Sequence, residues 1–126
     1  MTADTASPAG PRLALGAYGE RLAARHLLER GMVVLDRNWR CDEGEIDLVL
    51  RDGDVLVICE VKTRRSLACG SPHEAVTAEK IQRLKGLATR WAEAHDVRPP
   101  ETRIDLVAVH RPRRGPSAVE HVAGLL

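Results

Sequence analysis

The stretch Gly44–Lys62, GEIDLVLRDGDVLVICEVK, decides the fold because it predicts two short strands joined by a tight turn. Asp52 and Gly53 between the apolar runs are a strong hairpin signal, since a two-residue hairpin turn favours residues that tolerate positive φ. With these two residues in the turn, Arg51 faces Asp54, and the pairing continues backwards along both strands. The stretch therefore predicts an antiparallel hairpin at the centre of the fold.

Four charged residues interrupt the apolar pattern of this hairpin, namely Glu45, Asp47, Glu60 and Lys62. In the predicted register Glu45 faces Glu60, and all four side chains project from one face of the sheet because faces alternate along a strand. The opposite face is predicted to be an apolar wall of Ile46, Leu48, Leu50, Val55, Val57, Cys59 and Val61. A one-residue slip of the register would instead separate Asp47 from Glu60.

Neighbouring acids repel one another, so the charged cluster predicts one of two arrangements. The same face also carries Val49, Leu56 and Ile58, which indicates that another element covers it. Acids under a cover need partners, and Mg²⁺ or Mn²⁺ held by carboxylate oxygens would supply the positive charge beside the lysine. The alternative is a ladder of salt bridges on a solvated sheet face.

Helical periodicity predicts a first helix over about residues 11–30. Glu20 falls on its apolar stripe, close to Gly16 and Gly19, which would let the helix approach another backbone closely. Glu20 is therefore a further candidate acid for the sheet site. Alternatively, it bends to water or pairs with a neighbouring arginine.

A second helix is predicted to begin at the capping-box pattern of residues 71–74, or alternatively at Thr77, and to end near His95. Its apolar stripe consists of Val76, Ile81, Leu84, Leu87, Ala88 and Trp91. Further strands are predicted over residues 32–37 and 103–110, with a short edge strand in residues 118–124. The order α-β-β-β-α-β predicts one α/β domain, residues 12–126, with a mixed central sheet flanked by helices. Residues 1–11 are small, polar and rich in Pro and Gly, and are predicted to be a disordered leader.

The composition is that of an ordinary soluble domain, with 44% hydrophobic residues, 29% charged residues and a net charge of +1. No apolar run approaches the length of a membrane span, and three cysteines without metal-binding spacing predict reduced thiols in the cytoplasm. With only Tyr18, Trp39 and Trp91 as aromatic residues, the chain offers few platforms for stacking single-stranded bases.

A helical Glu, a hairpin Asp and a Glu-x-Lys on the next strand together resemble the PD-(D/E)xK nuclease core. The arrangement is similar to that of the archaeal Holliday-junction resolvases within the restriction-endonuclease-like fold. The segments GAYGERLAARHLLERG, RNWRCDEGEIDLVL, VICEVKTRR and SPHEAVTAEKIQRL resemble more closely the YraN-like family of small bacterial proteins. The resemblance spans about residues 14–110.

The resemblance implies a Mg²⁺- or Mn²⁺-dependent endonuclease that hydrolyses phosphodiester bonds of DNA, with branched DNA as one candidate substrate. It implies that Glu20, Asp47 and Glu60 are catalytic metal ligands and that Lys62 is the catalytic lysine, with Glu45 as an optional outer ligand. If the substrate is a four-way junction, its two-fold symmetry makes a homodimer the expected assembly.

Arg40, Arg64, Arg65 and Lys80 are candidate contacts to DNA phosphates, and each has a solvated surface charge as its alternative reading. Two other functions remain open from the sequence. One is a non-catalytic nucleic-acid-binding module that uses Arg64, Arg65 and the arginines of residues 111–114. The other is a protein-interaction adaptor with a vestigial site. Asp105 is expected to pair locally with its neighbour at position 103, with an accessory site as the alternative.

Overall fold

The computed structural model describes residues 11–65 and 76–125, with side chains from residue 14 onward. Its elements are α1 (Pro11–Glu29), β1 (Val33–Cys41), β2 (Gly44–Asp52), β3 (Val55–Arg64), α2 (Ala78–Ala94), β4 (Glu101–His110) and β5 (Ala118–Val122). The strands form one five-stranded sheet in the order β1-β2-β3-β4-β5. Only β3 and β4 run parallel, so α2 is the crossover between them. This architecture confirms the predicted α/β fold with a mixed sheet, as in a restriction-endonuclease-like core.

The ends of the helices follow from local sequence. Gly31, at φ 93°, comes just after α1, where glycine adopts the left-handed conformation without strain. Thr77 caps α2, because its hydroxyl oxygen accepts a hydrogen bond of 3.1 Å from the Lys80 N–H. The alternative start at Thr77 is therefore the observed one, and the capping-box pattern of residues 71–74 lies outside the described residues. So does the predicted leader, except for Pro11, which begins α1.

Each face of the sheet is covered by one helix. Neither of the two described helices is both long and apolar enough to cross a membrane. The α1 face is built from Ala23, Ala24, Leu27, Met32, Leu48, Leu50, Val57, Cys59, Val107 and Val109. The α2 face is built from Ile46, Val49, Leu56, Ile58, Leu84, Leu87, Ala88, Trp91 and Ile104. The second list confirms that α2 covers the face on which the sequence places Val49, Leu56 and Ile58.

The register of the central hairpin differs from the prediction by two positions. Asp52 pairs with Val55, so the turn consists of Gly53 and Asp54 rather than of Asp52 and Gly53. Gly53 has φ 61°, whereas Asp54 is not among the described residues with positive φ, as fits a turn that needs glycine only at its first central position. Because the shift is an even number of residues, it leaves the side-chain faces of both strands unchanged.

One assignment to the apolar wall is wrong. Ile46 packs in the α2 cluster with Val49, whereas Leu48 packs against α1. Beyond Leu48 the β2–β3 ladder ends, and the simple alternation of faces within the hairpin ends with it. β1 is also longer than predicted, since it continues to Cys41 rather than ending at residue 37.

Candidate active site

Asp47 lies where β2 and β3 separate. The last backbone pair between these strands is Leu48 with Cys59. Beyond it, a side chain of β2 accepts a hydrogen bond from the backbone of β3. The Oδ2 atom of Asp47 accepts a hydrogen bond of 2.8 Å from the Val61 N–H. This contact fixes the carboxylate of Asp47 beside β3, next to Glu60.

Glu60 is the second acid of the site, and its side chain is nearly buried, with 8% of the residue exposed. Its Oε2 lies 3.4 Å from Nζ of Lys62 in the same strand and 2.6 Å from Nζ of Lys80 in α2. Lys80 is also a predicted contact to DNA phosphates, and the structure places its ammonium in the acid cluster. A sequence signal for this position was that Lys80 borders the apolar stripe of α2.

Glu20 reaches the same region because α1 approaches β3 very closely at Gly19. A Cβ atom at Gly19 would overlap Oγ1 of Thr63, so only glycine fits this contact. The expected close approach is therefore confirmed at Gly19, whereas a Cβ at Gly16 would meet nothing within 4 Å. Glu20, the next residue, is partly buried and is hydrogen-bonded by the Asn38 side chain.

Asn38 belongs to this site although the sequence analysis did not single it out. Its backbone has φ 52°, a left-handed conformation that Asn tolerates better than most residues do. The pairs on either side of it, Arg37 with Leu48 and Trp39 with Ile46, place Asn38 opposite Asp47. The side chain that holds Glu20 therefore comes from the residue that faces the central acid.

The carboxylates affect one another electrostatically. Burial raises the pKa of Asp47 to about 7, and the negative charge of Glu60 adds to this rise, against the opposing hydrogen bond from Val61. Burial also raises the pKa of Glu20, with the Asn38 hydrogen bond opposing and repulsion from Glu45 and Glu60 adding to the rise. Three acids from α1, β2 and β3 thus share one electrostatic environment.

The two lysines divide their roles at Glu60. The neighbouring Lys80 lowers the pKa of Lys62, and burial lowers it further, against the attraction of Glu60. For Lys80, burial acts to lower the pKa, but the contact of its Nζ with Oε2 of Glu60 outweighs burial and raises it. Lys80 is therefore the firm partner of Glu60, and Lys62 is the lysine whose charged form is less favoured.

The oxygen donors of this cluster suit a hard divalent cation such as Mg²⁺. In residues 11–65 and 76–125, however, no three His, Cys, Asp or Glu side chains stand close enough together to hold a metal ion. Glu60 is turned to the lysines and Glu20 to Asn38, while the raised pKa of Asp47 favours its protonated form. The acids therefore form a cluster whose negative charge is neutralised by lysines and by a proton. To bind a metal ion, their carboxylates would have to turn towards it.

An open cleft of about 260 Å³ gives access to the cluster. Glu45, Asp47, Glu60 and Lys80 line it, together with Arg83 of α2. A cleft of this volume has room for several waters, so a solvated group can approach Asp47, Glu60 and Lys80 together.

The three predicted phosphate-binding arginines are not among the residues that line this cleft, and each is in a different situation. Arg40 is largely exposed, with its Nε 3.5 Å from Oε2 of Glu45, so it faces the outermost acid of the site. Arg64 is partly buried at the end of β3 and is engaged in an interaction of its own. Arg65 is exposed directly after β3.

The expected local pair of Arg103 with Asp105 is present, with Nε–Oδ1 at 2.8 Å and Nη2–Oδ2 at 3.0 Å. His121 Nε2 lies 2.8 Å from Oδ2 of Asp105, and the Gly124 N–H donates to Oδ1 at 3.0 Å. The last two partners were not predicted from the sequence. These contacts make Asp105 part of a buried ion network within the protein.

Comparison with known sequences gives a consistent result. The profile of the Uncharacterised protein family UPF0102 matches residues 19–109. A UPF0102 protein of Nocardioides sp. is 62% identical over 125 residues, which cover 99% of both chains. A UPF0102 protein of Kineococcus radiotolerans is 60% identical over 113 residues, which cover 89% of this chain and 93% of the relative. UPF0102 protein SCO5602 of Streptomyces coelicolor is 58% identical over 116 residues, which cover 90% of this chain and 89% of the relative.

Proposed function

The chain belongs to the uncharacterised family UPF0102, and from the geometry of its site we propose that it is a metal-dependent endonuclease. Its reaction would be the hydrolysis of phosphodiester bonds of DNA. One observation carries the proposal. Asp47, held at the point where two strands separate, has its pKa raised to about 7 by burial and by Glu60, with Glu20 adding to the rise. Acids kept close together against their own repulsion are typical of sites that bind a cation or move protons.

The donor set fits a divalent ion, since Asp47, Glu60 and Glu20 offer oxygen ligands. Bound Mg²⁺ or Mn²⁺ would supply Lewis-acid activation of the scissile phosphate and of the attacking water. Lys80 would keep Glu60 oriented from α2, which fixes one carboxylate before any ion arrives.

Lys62 is the residue that acts on the substrate itself. Its amino group lies next to Glu60 and has a pKa below that of a free lysine. It is therefore the group in the cluster suited to exchanging a proton with the attacking water. In the charged form, the same ammonium stabilises negative charge as it develops on the phosphate oxygens. Both roles need Lys62 beside the acids and not in bulk solvent, and its Nζ lies 3.4 Å from Oε2 of Glu60 with the side chain 34% exposed.

The test is cleavage of branched, duplex and single-stranded DNA with Mg²⁺ or Mn²⁺. The variant Asp47→Asn keeps the shape of the side chain and removes its charge, and we expect it to lose on the order of 10²-fold or more in rate. The matched control is Asp54→Asn, which changes an exposed carboxylate in the turn of the same hairpin and should cleave like the unaltered protein. Equal cleavage by all three proteins would overturn the proposal, as would no metal-dependent cleavage of any substrate by the unaltered protein.

A second candidate is a nucleic-acid-binding module without catalysis. It is favoured by the pairing of Glu60 with two lysines and by the lack of a ready three-residue metal group in the described part of the chain. Such a module would bind DNA equally well in EDTA and after Asp47→Asn, and its affinity would fall steeply with salt. Affinity that requires a divalent ion would instead favour the enzyme.

A further inference from the structure

Two arginine-bearing segments meet at one end of the sheet. Because β3 and β4 run parallel, their last residues lie side by side. The Arg111 N–H donates to the Arg64 carbonyl at 2.8 Å, which continues the strand pairing by one step. Nε2 of His110 lies 3.2 Å from the carbonyl oxygen of Arg65. Arg64 and Arg65 are therefore fixed to the chain at the end of β4.

The turn between β4 and β5, residues 111–117, is also attached to α1 at both of its ends. The guanidinium of Arg111 lies over the Tyr18 ring, with 4.1 Å between Cζ and the ring centroid. The hydroxyl of Tyr18 is 2.7 Å from Oγ of Ser117, at the other end of the turn. A single side chain of α1 thus holds the turn in place, and a surface ordered in advance loses less entropy when it binds a ligand.

The surface formed in this way is strongly basic. We call it the basic surface, and it consists of Arg64, Arg65, Arg111, Arg113 and Arg114. Residues 111–119 contain no acid, and the first acid after them is Glu120. Arg65, Arg113 and Arg114 are exposed, and no ion pair joins any of these three to another described residue. With a net charge of only +1 for the whole chain, this is a local concentration of positive charge.

We propose that the basic surface binds the sugar-phosphate backbone of double-helical nucleic acid and extends the candidate active site along its substrate. The choice of a polynucleotide as ligand rests on the proposed function. Arginine forks match phosphate geometry, and the Tyr18 ring is already covered by Arg111, so the surface offers charge rather than a platform for stacking bases. This combination favours backbone contacts to a duplex over the binding of unpaired bases.

The basic surface begins at the end of β3, just beyond Lys62. Arg64 follows Lys62 by two residues, about 7 Å along the strand, and Arg111 on the neighbouring strand is about 11 Å from Lys62. Phosphates on one strand of a duplex advance by roughly 3.4 Å along the helix axis, so the basic surface begins about two or three nucleotides from Lys62. The scissile phosphate and the bound backbone therefore belong to one short stretch of substrate.

The test measures binding without catalysis, by fluorescence anisotropy of a labelled short duplex and of its single strand in EDTA at a series of salt concentrations. The double variant Arg113→Ala/Arg114→Ala is compared with Arg51→Ala/Arg98→Ala, which removes two exposed arginines from the shallow pocket near the hairpin turn. We expect the unaltered protein and the control to prefer the duplex. We expect the plot of log affinity against log salt for the first variant to become less steep by roughly 0.9 per lost phosphate contact.

Equal losses in the two double variants would overturn the inference, as would tighter binding of the single strand than of the duplex by the unaltered protein. The result is separable from that of the cleavage test. Binding that depends on Arg113 and Arg114 in a protein that cleaves nothing would retain the basic surface and reject the nuclease. Metal-dependent cleavage with binding that ignores these arginines would do the reverse.

Discussion

Asp47 on β2 and Asp105 on β4 are acids of the same sheet with opposite surroundings. Asp105 is fully buried, and it receives hydrogen bonds from Arg103, His121 and the Gly124 N–H. Asp47 receives one, from the Val61 N–H, and has Glu60 as a repelling neighbour. One carboxylate is thus satisfied by the protein alone, and the other is not.

The pKa values of the two acids follow their partners rather than their depth. Burial raises the pKa of both, but at Asp105 the hydrogen bonds from Arg103, His121 and Gly124 outweigh burial and lower the pKa below its usual range. At Asp47 burial and Glu60 act in the same direction, and the pKa rises to about 7. The comparison shows that a buried acid indicates a candidate active site only when the protein leaves its charge uncompensated.

The largest effect is expected at the satisfied acid. Asp105→Asn should lower the free energy of unfolding by about 3–5 kcal/mol, because it leaves the charge of Arg103 partly buried beside a neutral amide. Urea unfolding followed by circular dichroism measures this change. The control is Asp52→Asn, which removes the charge of the other carboxylate that pairs with Arg103. The Asp52 side chain is 41% exposed, so this variant should cost less than about 1 kcal/mol. Similar effects of the two variants would contradict the structural role of Asp105.

Asp105→Asn should also change how the stability depends on pH, in a direction that follows from the pKa of Asp105. The pKa of Asp105 is lowered from its ordinary value of 3.8 in the folded state, so its stabilising contribution is present above about that pH. The contribution is lost as the pH falls through the folded pKa. Unfolding measured between pH 7 and strongly acidic conditions should therefore show a loss of stability in the unaltered protein that Asp105→Asn largely lacks.

The sequence predicted the acid face of the hairpin although it misplaced the turn. The predicted and observed registers differ by two residues, and an even shift returns every side chain to its face. Asp47 and Glu60 therefore came out as neighbours, whereas Ile46 was misassigned because alternation fails once the ladder ends. Gly16 and Gly19 were both predicted to allow a close approach of α1, because glycines at helical spacing let a helix come near another backbone, and the contact is present at Gly19.

The remaining site contacts depend on distances in space that spacing along the chain does not encode. Lys80 reaches Glu60 from α2, and His121 reaches Asp105 across 16 positions of sequence. Asn38 is placed by its own left-handed backbone, which a sequence pattern for a regular strand does not reveal. The acids of the site could therefore be predicted from the sequence, whereas most of their partners are evident only from the folded structure.

A smaller effect is expected where α1 brings Glu20 to the unsatisfied acids. Gly19→Ala should lower the free energy of unfolding by about 1–3 kcal/mol, because its Cβ would overlap Thr63 and push α1 away from β3. Gly16→Ala places a Cβ in open space on the same helix and should stabilise the protein by about 0.5–1 kcal/mol through helix propensity. Thermal unfolding of the two variants measures both signs, and a Gly19→Ala variant as stable as Gly16→Ala would mean that Gly19 has no special contact.

The smallest effect has the opposite sign, and it tests whether Asp47 is uncompensated. In EDTA at pH 8, Asp47→Asn should raise the free energy of unfolding by about 1–2 kcal/mol, a value discounted from 1.36 kcal/mol per pKa unit because the side chain is partly solvated. The amide oxygen can still accept from the Val61 N–H, so the variant removes mainly the desolvated charge and its repulsion with Glu60. Because the pKa of Asp47 is raised to about 7, the gain should shrink as the pH falls from about 7 towards 4, where a proton already neutralises the acid. Urea unfolding at both pH values measures the gain, and a loss of stability at pH 8 would make Asp47 a second structural acid like Asp105.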